Sequence, residues 1–277
     1  MNDYTRELEI MRRAAGVAGE AVMAYFRLGG PPSASAEIRF KGVDNPLTQA
    51  DLEADRIIRQ HVAAAFPDDG WLSEESLDDP IRLSKERVWV VDPIDGTKEF
   101  IQGVPEFALS IALVAGDRVV AGCVYAPAAQ DGRGDYIAGS RGGGVWFNGH
   151  PARVSDRDEL SNALALASRS EVARGEWEPF RGEFRVADCG SIALKLARVA
   201  VGRGDLAFTL LPKNEWDVAA GVLLIEEAGG RVSGKEGTPF RFNQPQGEFP
   251  GVIASNGRLH EALLKRLAQE PYRRYRS

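Results

Sequence analysis

The run Trp89-Val90-Val91-Asp92-Pro93-Ile94-Asp95-Gly96-Thr97 constrains the chain more than any other. Val88, Val90 and Val91 form an apolar, β-branched segment of the kind that fills a strand buried on both faces. Proline has no N–H to donate to a ladder, so the strand is expected to break at Asp92-Pro93. Two carboxylates three positions apart then stand where a central strand ends. Gly96 permits a bend or a close approach to a ligand, and Thr97 adds a hydroxyl. Carboxylate oxygens at a strand end suit a hard cation such as Mg²⁺, which takes octahedral oxygen ligands and keeps some of its waters. An Asp-Pro turn that merely caps a strand accounts for this segment equally well.

Composition narrows the alternatives. A chain of 277 residues with 44% hydrophobic content can bury a large core in one domain or two lobes. With a net charge of -6, nothing suggests nucleic-acid binding by a basic surface. An acidic protein that handles phosphate needs a metal to offset repulsion. Cys123 and Cys189 are too few for a disulfide scaffold and fit a reducing cytoplasm, the expected location. No signal peptide is legible in Met1–Glu9, and no apolar run reaches the roughly 18 residues of a membrane span.

Tyr4, Leu8, Met11, Ala15, Ala18, Val22 and Phe26 recur at helical spacing and predict a long amphipathic helix. Gly29-Gly30-Pro31-Pro32 ends it, and a loop is expected to Ala36. Thr48 with Asp51 three residues on resembles a capping box that opens a second helix reaching about Phe66. Trp71–Ser73 reads as a short strand entering Glu74-Glu75. Phe107–Val114, Val119–Tyr125, Tyr136–Ala138 and Gly144–Phe147 read as an antiparallel meander, with Gly142–Gly144 as a hairpin turn. That glycine run lacks the Gly-Lys-Ser/Thr ending of a phosphate loop. Beyond it, strand and helix alternate: Ala163–Ala167, Phe184–Ala187, a helix Ser191–Val201, Asp205–Leu210, a helix Glu215–Ala228, Arg231–Ser233, Val252–Ser255 and a closing helix Leu259–Gln269. The basic tail Tyr272–Arg276 reads as a solvated terminus.

Asp51, Glu74-Glu75, Asp92 with Asp95, and Asp217 place carboxylates at element ends, far apart along the chain, as metal ligands usually are. Taken singly, each has an ordinary explanation, such as a helix-dipole partner or a surface acid. Taken in order, Asp51, Glu74-Glu75, Asp92-Pro93-Ile94-Asp95-Gly96-Thr97 and Trp216-Asp217-Val218-Ala219-Ala220-Gly221 resemble the signature of the inositol monophosphatase superfamily of Mg²⁺-dependent, lithium-inhibited phosphomonoesterases. The resemblance spans Lys41 to Gly230. It implies an α+β fold, a layered α-β-α-β-α sandwich, as one compact chain over 1–277. Its lobes would be about 1–150, carrying the metal motifs, and 151–277, on the substrate side. By the same resemblance Glu74, Asp92 and the Ile94 carbonyl would hold one Mg²⁺, and Asp92, Asp95 and Asp217 a second, of two or three ions. Glu74 and Thr97 would orient the attacking water, and Asp51 would hydrogen-bond Thr97. The Gly96 and Thr97 amides would receive phosphate oxygens. Glu75 would play a supporting part. His61, His150 and His260 lie outside the motifs and read as surface or loop residues, so imidazole catalysis is not expected.

Thr97-Lys98-Glu99-Phe100, Ser168-Arg169-Ser170 and Gly190-Ser191-Ile192-Ala193-Leu194-Lys195 resemble stretches of bacterial 3'(2'),5'-bisphosphate nucleotidases. The expected substrate is accordingly adenosine 3',5'-bisphosphate, cleaved to AMP and phosphate. Lys195 and Arg169 would meet its second phosphate, with Ser191 and Asp217 also at the substrate. Two departures mark the sequence. Thr209-Leu210-Leu211 lacks the acid by which inositol phosphatases bind hydroxyls, and Glu171 stands where the nucleotidases usually have histidine. The alternatives are an inositol-1-phosphate or sugar-phosphate phosphatase and a non-catalytic metal- or nucleotide-binding regulator. A haloacid-dehalogenase phosphatase needs Asp-x-Asp-Gly-Thr near the N-terminus, which is absent. The expected partner is a small phosphate ester, with no nucleic-acid polymer and no membrane, and a homodimer as the assembly.

Overall fold

The computed structural model describes residues 3–42, 45–129 and 133–270. Val43-Asp44 and the basic tail lie outside them. Helix α1 (Thr5–Tyr25) is followed by a short hairpin, β1 (Arg39–Gly42) and β2 (Asn45–Leu47), and then by α2 (Gln49–Ala65). A seven-stranded sheet comes next: β3 (Gly70–Ser73), β4 (Arg87–Asp95), β5 (Ala108–Ala115), β6 (Arg118–Ala126), β7 (Asp135–Ser140), β8 (Gly144–Phe147) and β9 (His150–Ala152). Its strands lie in sequence order, β3 parallel to β4 and every later pair antiparallel. Helix α3 (Thr97–Gln102) joins β4 to β5.

The second half supplies β10 (Leu164–Ala167), α4 (Arg169–Ala173), β11 (Arg185–Asp188), α5 (Ile192–Ala200), β12 (Leu206–Thr209), β13 (Lys213–Asn214) and α6 (Glu215–Glu227). It ends with β14 (Arg231–Ser233), β15 (Glu248–Phe249), β16 (Val252–Ser255) and α7 (His260–Ala268). Five of these strands form a mixed sheet in the order β11-β10-β12-β16-β14, and β13 pairs with β15 separately.

The side chains of β4 show how the layers stack. Trp89 and Val91 pack with Met11, Ala18 and Ile58 of α1 and α2. Val88 and Val90 point the other way, into a cluster with Leu194, Leu196, Val218 and Leu224 of α5 and α6. With both faces buried, β4 carries an unbroken apolar run rather than an alternation. A third cluster, Trp177, Phe180, Phe184 and Phe208 with Leu263 and Leu267 of α7, covers the far side of the five-stranded sheet. The layers are therefore α1/α2, seven-stranded sheet, α5/α6, five-stranded sheet and α7, the expected α-β-α-β-α sandwich. No helix among the described residues is long and apolar enough to cross a membrane.

Three expectations need correction. Strand β4 does not break at Asp92-Pro93 but runs on to Asp95. Its register against β5 shifts from Asp92↔Ser110 to Asp95↔Ala108, so Pro93 sits in a bulge, where its missing N–H is tolerated. The stretch before Ala36 ends in a 3-10 turn, Ala34–Ala36, with Ala36 buried. His260 is not a surface residue. Helix α7 sets its ring between two strand serines, with Nε2 2.9 Å from Ser233 Oγ and Nδ1 3.2 Å from Ser255 Oγ, and burial pushes its pKa down to about 4. The short elements β2, α3, β9, α4, β13 and β15 carry too few residues to show a period, and none was anticipated.

Helices α5 and α6 cross closely at Gly221, where an added Cβ would lie 2.5 Å from Leu196 Cβ. Gly221→Ala gains about 1 kcal/mol of helix propensity. It must also push the helices apart, and overpacking costs about 1–3 kcal/mol. The expected outcome in urea unfolding is a net loss of up to about 2 kcal/mol, with the denaturant slope unchanged.

Candidate active site

The β4 bulge places Asp92 and Asp95 at the C-terminal end of the central strand. Asp217 joins them from α6. Asn214 N-caps that helix, and its backbone N–H donates to Asp217 Oδ2 at 2.9 Å, which fixes the aspartate as the third helical residue. One oxygen from each of Asp92, Asp95 and Asp217 falls within 4.8 Å of the others. Each of the three also accepts hydrogen bonds. The Ile94 N–H donates to Asp92 Oδ1 at 3.1 Å. Ser191 Oγ and the Ala193 N–H, at the start of α5, both donate to Asp95 Oδ2 at 2.6 Å. Each carboxylate is therefore held by donors on the elements around it.

Close, buried like charges repel. Burial first, then Glu74, Asp95 and Asp217, raise the pKa of Asp92 well above the usual carboxylate range. Asp95 is raised by burial although Ser191 and Ala193 oppose it, and Asp217 is raised by burial with partial relief from Lys213. Such a cluster is costly as anions unless a cation or protons neutralise it. Three inward oxygens in an all-oxygen set are the donors a hard divalent cation takes.

The other expected residues surround this cluster. Thr97 Oγ1 lies 3.1 Å from Asp51 Oδ1 and 3.0 Å from the Ile94 carbonyl, and its single proton serves one of them at a time. Asp51 is buried as the capping-box residue of α2, and burial pushes it up to about 6 against the pull of Thr48 and Thr97. Gly96, at φ 97°, turns the chain into α3. A Cβ there would lie 3.1 Å from the Glu106 carbonyl, so the position requires glycine. Glu74 follows β3 and stands outside the aspartate triple, held by Lys41. Lys41 Nζ donates to Glu74 Oε1 and Glu75 Oε1, both at 2.8 Å. Burial pushes Glu75 up to about 7, with Lys41 opposing.

Lys195 stands elsewhere than expected. Lys195 is buried and donates to both oxygens of Glu171 at 2.7 and 2.8 Å. Glu171 also accepts the Ser168 N–H, closing the capping box of α4. The pair is an internal brace between α4 and α5, and it accounts for an acid at position 171, since a buried lysine needs a charge partner. Arg169 is tied to Glu106 at 2.5 Å and to Asp188 at 3.5 Å. Ser191 reaches the site, but as a donor to Asp95.

Two residues at the site were missed. Lys213, half-buried on β13, has no ion pair among the described residues, yet it lowers the pKa of both Asp217 and Asp95. Glu99 of α3 is partly buried beside Asp95 and lies over Gly190, where a Cβ would meet its carboxyl carbon at 2.2 Å. The glycine at 190 was the signal, since it marks a close approach to another group.

A carboxylate whose pKa is raised on folding binds more protons folded than unfolded. Stability therefore falls as pH rises from the unfolded value near 4 through the folded one near 6–7. In chelator, the melting temperature is expected to fall from pH 5 to pH 8, and added Mg²⁺ to restore it at pH 8. Asp92→Asn should flatten this dependence, fold normally and abolish turnover. A slope as steep as the parent's would clear the cluster as its cause.

The model of the inositol monophosphatase family matches residues 3–272. An inositol-1-monophosphatase of Mesorhizobium japonicum is 36% identical over 266 residues, 93% of this chain and 94% of that protein. A fructose-1,6-bisphosphatase/inositol-1-monophosphatase of Thermotoga maritima is 34% identical over 236 residues, 81% and 83% of the two chains. Among solved structures, the extragenic suppressor protein suhB of Bartonella henselae superposes with a TM-score of 0.80 at 31% identity, covering 96% of this chain and 100% of that one.

Proposed function

The chain belongs to the inositol monophosphatase family of phosphatases, and from that premise we propose that it hydrolyses a small phosphate monoester with Mg²⁺. The aspartate triple carries this reading. Glu74, Asp92 and the Ile94 carbonyl would hold one ion, and Asp92, Asp95 and Asp217 another. Bound there, Mg²⁺ supplies Lewis-acid stabilisation of phosphoryl oxygens and lowers the pKa of a coordinated water. The chain's own residues position the reactants. Thr97, hydrogen-bonded to Asp51, orients the attacking water with Glu74. The Gly96 and Thr97 amides receive phosphate oxygens. The N-terminal end of α6 adds a favourable dipole for the anion.

For the alcohol part of the ester, Glu99 supports a polyhydroxylated group such as inositol or a sugar. A half-buried carboxylate beside Asp95 accepts hydrogen bonds from hydroxyls, a role the sequence leaves unfilled at Leu210. The buried pairing of Lys195 with Glu171 removes one of the two cations that favoured a bisphosphate. Lys213 keeps adenosine 3',5'-bisphosphate as a second reading, since its cation acts on Asp217 and Asp95 and would suit a second phosphate.

Phosphate release with Mg²⁺ from inositol 1-phosphate, fructose 1,6-bisphosphate and adenosine 3',5'-bisphosphate separates the two. The expected result is the highest kcat/KM for inositol 1-phosphate, inhibition by millimolar Li⁺, and a roughly tenfold loss in Glu99→Gln, the scale of one hydrogen bond to a charged group. Lys213→Ala should change little. Preference for the nucleotide, lost in Lys213→Ala, would establish the second reading instead.

A further inference from the structure

Helix α2 touches the site twice, and the mechanism uses only the first contact. Asp51 reaches Thr97 from the first turn. Asp55 stands one turn further on, so the two carboxylates share a face. Asp55 is buried and has no cationic partner among the described residues. Its two oxygens are both engaged: Ser73 Oγ donates to Oδ1 at 2.5 Å and Ser76 Oγ to Oδ2 at 2.8 Å. Those serines flank Glu74-Glu75 on either side. The turn is tied further on both flanks. Trp71 Nε1 donates to Ser76 Oγ at 3.3 Å, and the Glu75 N–H to Ser73 Oγ at 3.4 Å. The Glu74 N–H donates to the Val91 carbonyl, the residue before Asp92, at 3.3 Å.

A buried acid without a counter-cation costs stability unless hydrogen bonds offset it, and a turn of two serines needs no acid beneath it to close. We propose that Asp55 is a positioning residue that clamps the Ser73–Ser76 turn and so fixes Glu74 relative to Asp92. On this view α2 is a ruler, setting Thr97 with its first turn and Glu74 with its second. The inference rests on the reading of Glu74 as a Mg²⁺ ligand. It adds a residue that touches neither metal nor substrate but sets the affinity of the site, as partners behind metal ligands typically do by 10–100-fold.

The test compares the parent with Asp55→Ala, Asp55→Asn, Ser76→Ala and Glu74→Gln. Two quantities are read: the Mg²⁺ concentration for half-maximal phosphate release, and the rise in melting temperature on titrating Mg²⁺ alone, which needs no turnover. Both midpoints are expected to move about 10–100-fold upward in Asp55→Ala, while KM for substrate at saturating Mg²⁺ stays within about threefold. Asp55→Asn keeps one acceptor oxygen and should fall between. Ser76→Ala, at a partly exposed position, should shift the midpoints in the same direction by less, and it carries the test if Asp55→Ala does not fold. Midpoints within twofold of the parent in the folded Asp55 and Ser76 variants, with Glu74→Gln clearly shifted, would overturn the role of Asp55 alone. An unshifted Glu74→Gln would overturn the ligand assignment and this inference with it. A parent that gains no thermal stability from Mg²⁺ would overturn the metal reading itself.

Discussion

Repulsion among three carboxylates dominates this structure. Asp92, Asp95 and Asp217 present oxygens within 4.8 Å of one another, with Asp92 buried and the other two half-buried. Left charged and alone, they would force the bulge of β4 and the start of α6 apart. The protein instead pins each one from behind, with the Ile94 N–H, with Ser191 Oγ and the Ala193 N–H, and with the Asn214 N–H. Two helix starts and one strand bulge are thus arranged around a deficit of positive charge. That deficit defines the site more sharply than any cavity does.

How much of this was legible depended on whether the signal was local. The β4 run, the Thr48–Asp51 capping box and the long helices announced themselves through burial period and cap chemistry. The aspartates were visible as residues, and their assembly followed from resemblance rather than from spacing. The bulge was not visible, because Asp-Pro reads as a break whenever the partner strand is unknown. Asp55 was hidden for a similar reason, since an acid in the second turn of an amphipathic helix looks like ordinary surface polarity until Ser73 and Ser76 are seen over it.

Lys195 shows the limit from the other side. A lysine in a segment that resembles a substrate-binding stretch invites a phosphate. In the fold its amine turns inward to Glu171, and the pair cements α4 to α5. Charge type was readable and direction was not, because direction depended on an acid 24 positions away that was already serving as a cap. Lys213 is the converse, a residue given no role from the sequence, on a two-residue strand paired with Phe249, whose cation acts on Asp217 and Asp95.

The middle helical layer has a consequence for how the molecule is made. Val88, Val90, Ala112, Val114 and Val124 of the seven-stranded sheet are covered by α5 and α6, which the chain supplies only after residue 190. A ribosome releases the first sheet complete through β9 at Ala152 while its inner face is still bare. For the time needed to add some 75 further residues, a few seconds to about fifteen at ordinary elongation rates, an apolar plane stands open beside the nascent chain. The metal motifs of the N-terminal half and Asp217 of the C-terminal half come together only when that plane closes, so completion of the core and assembly of the acidic cluster are one event.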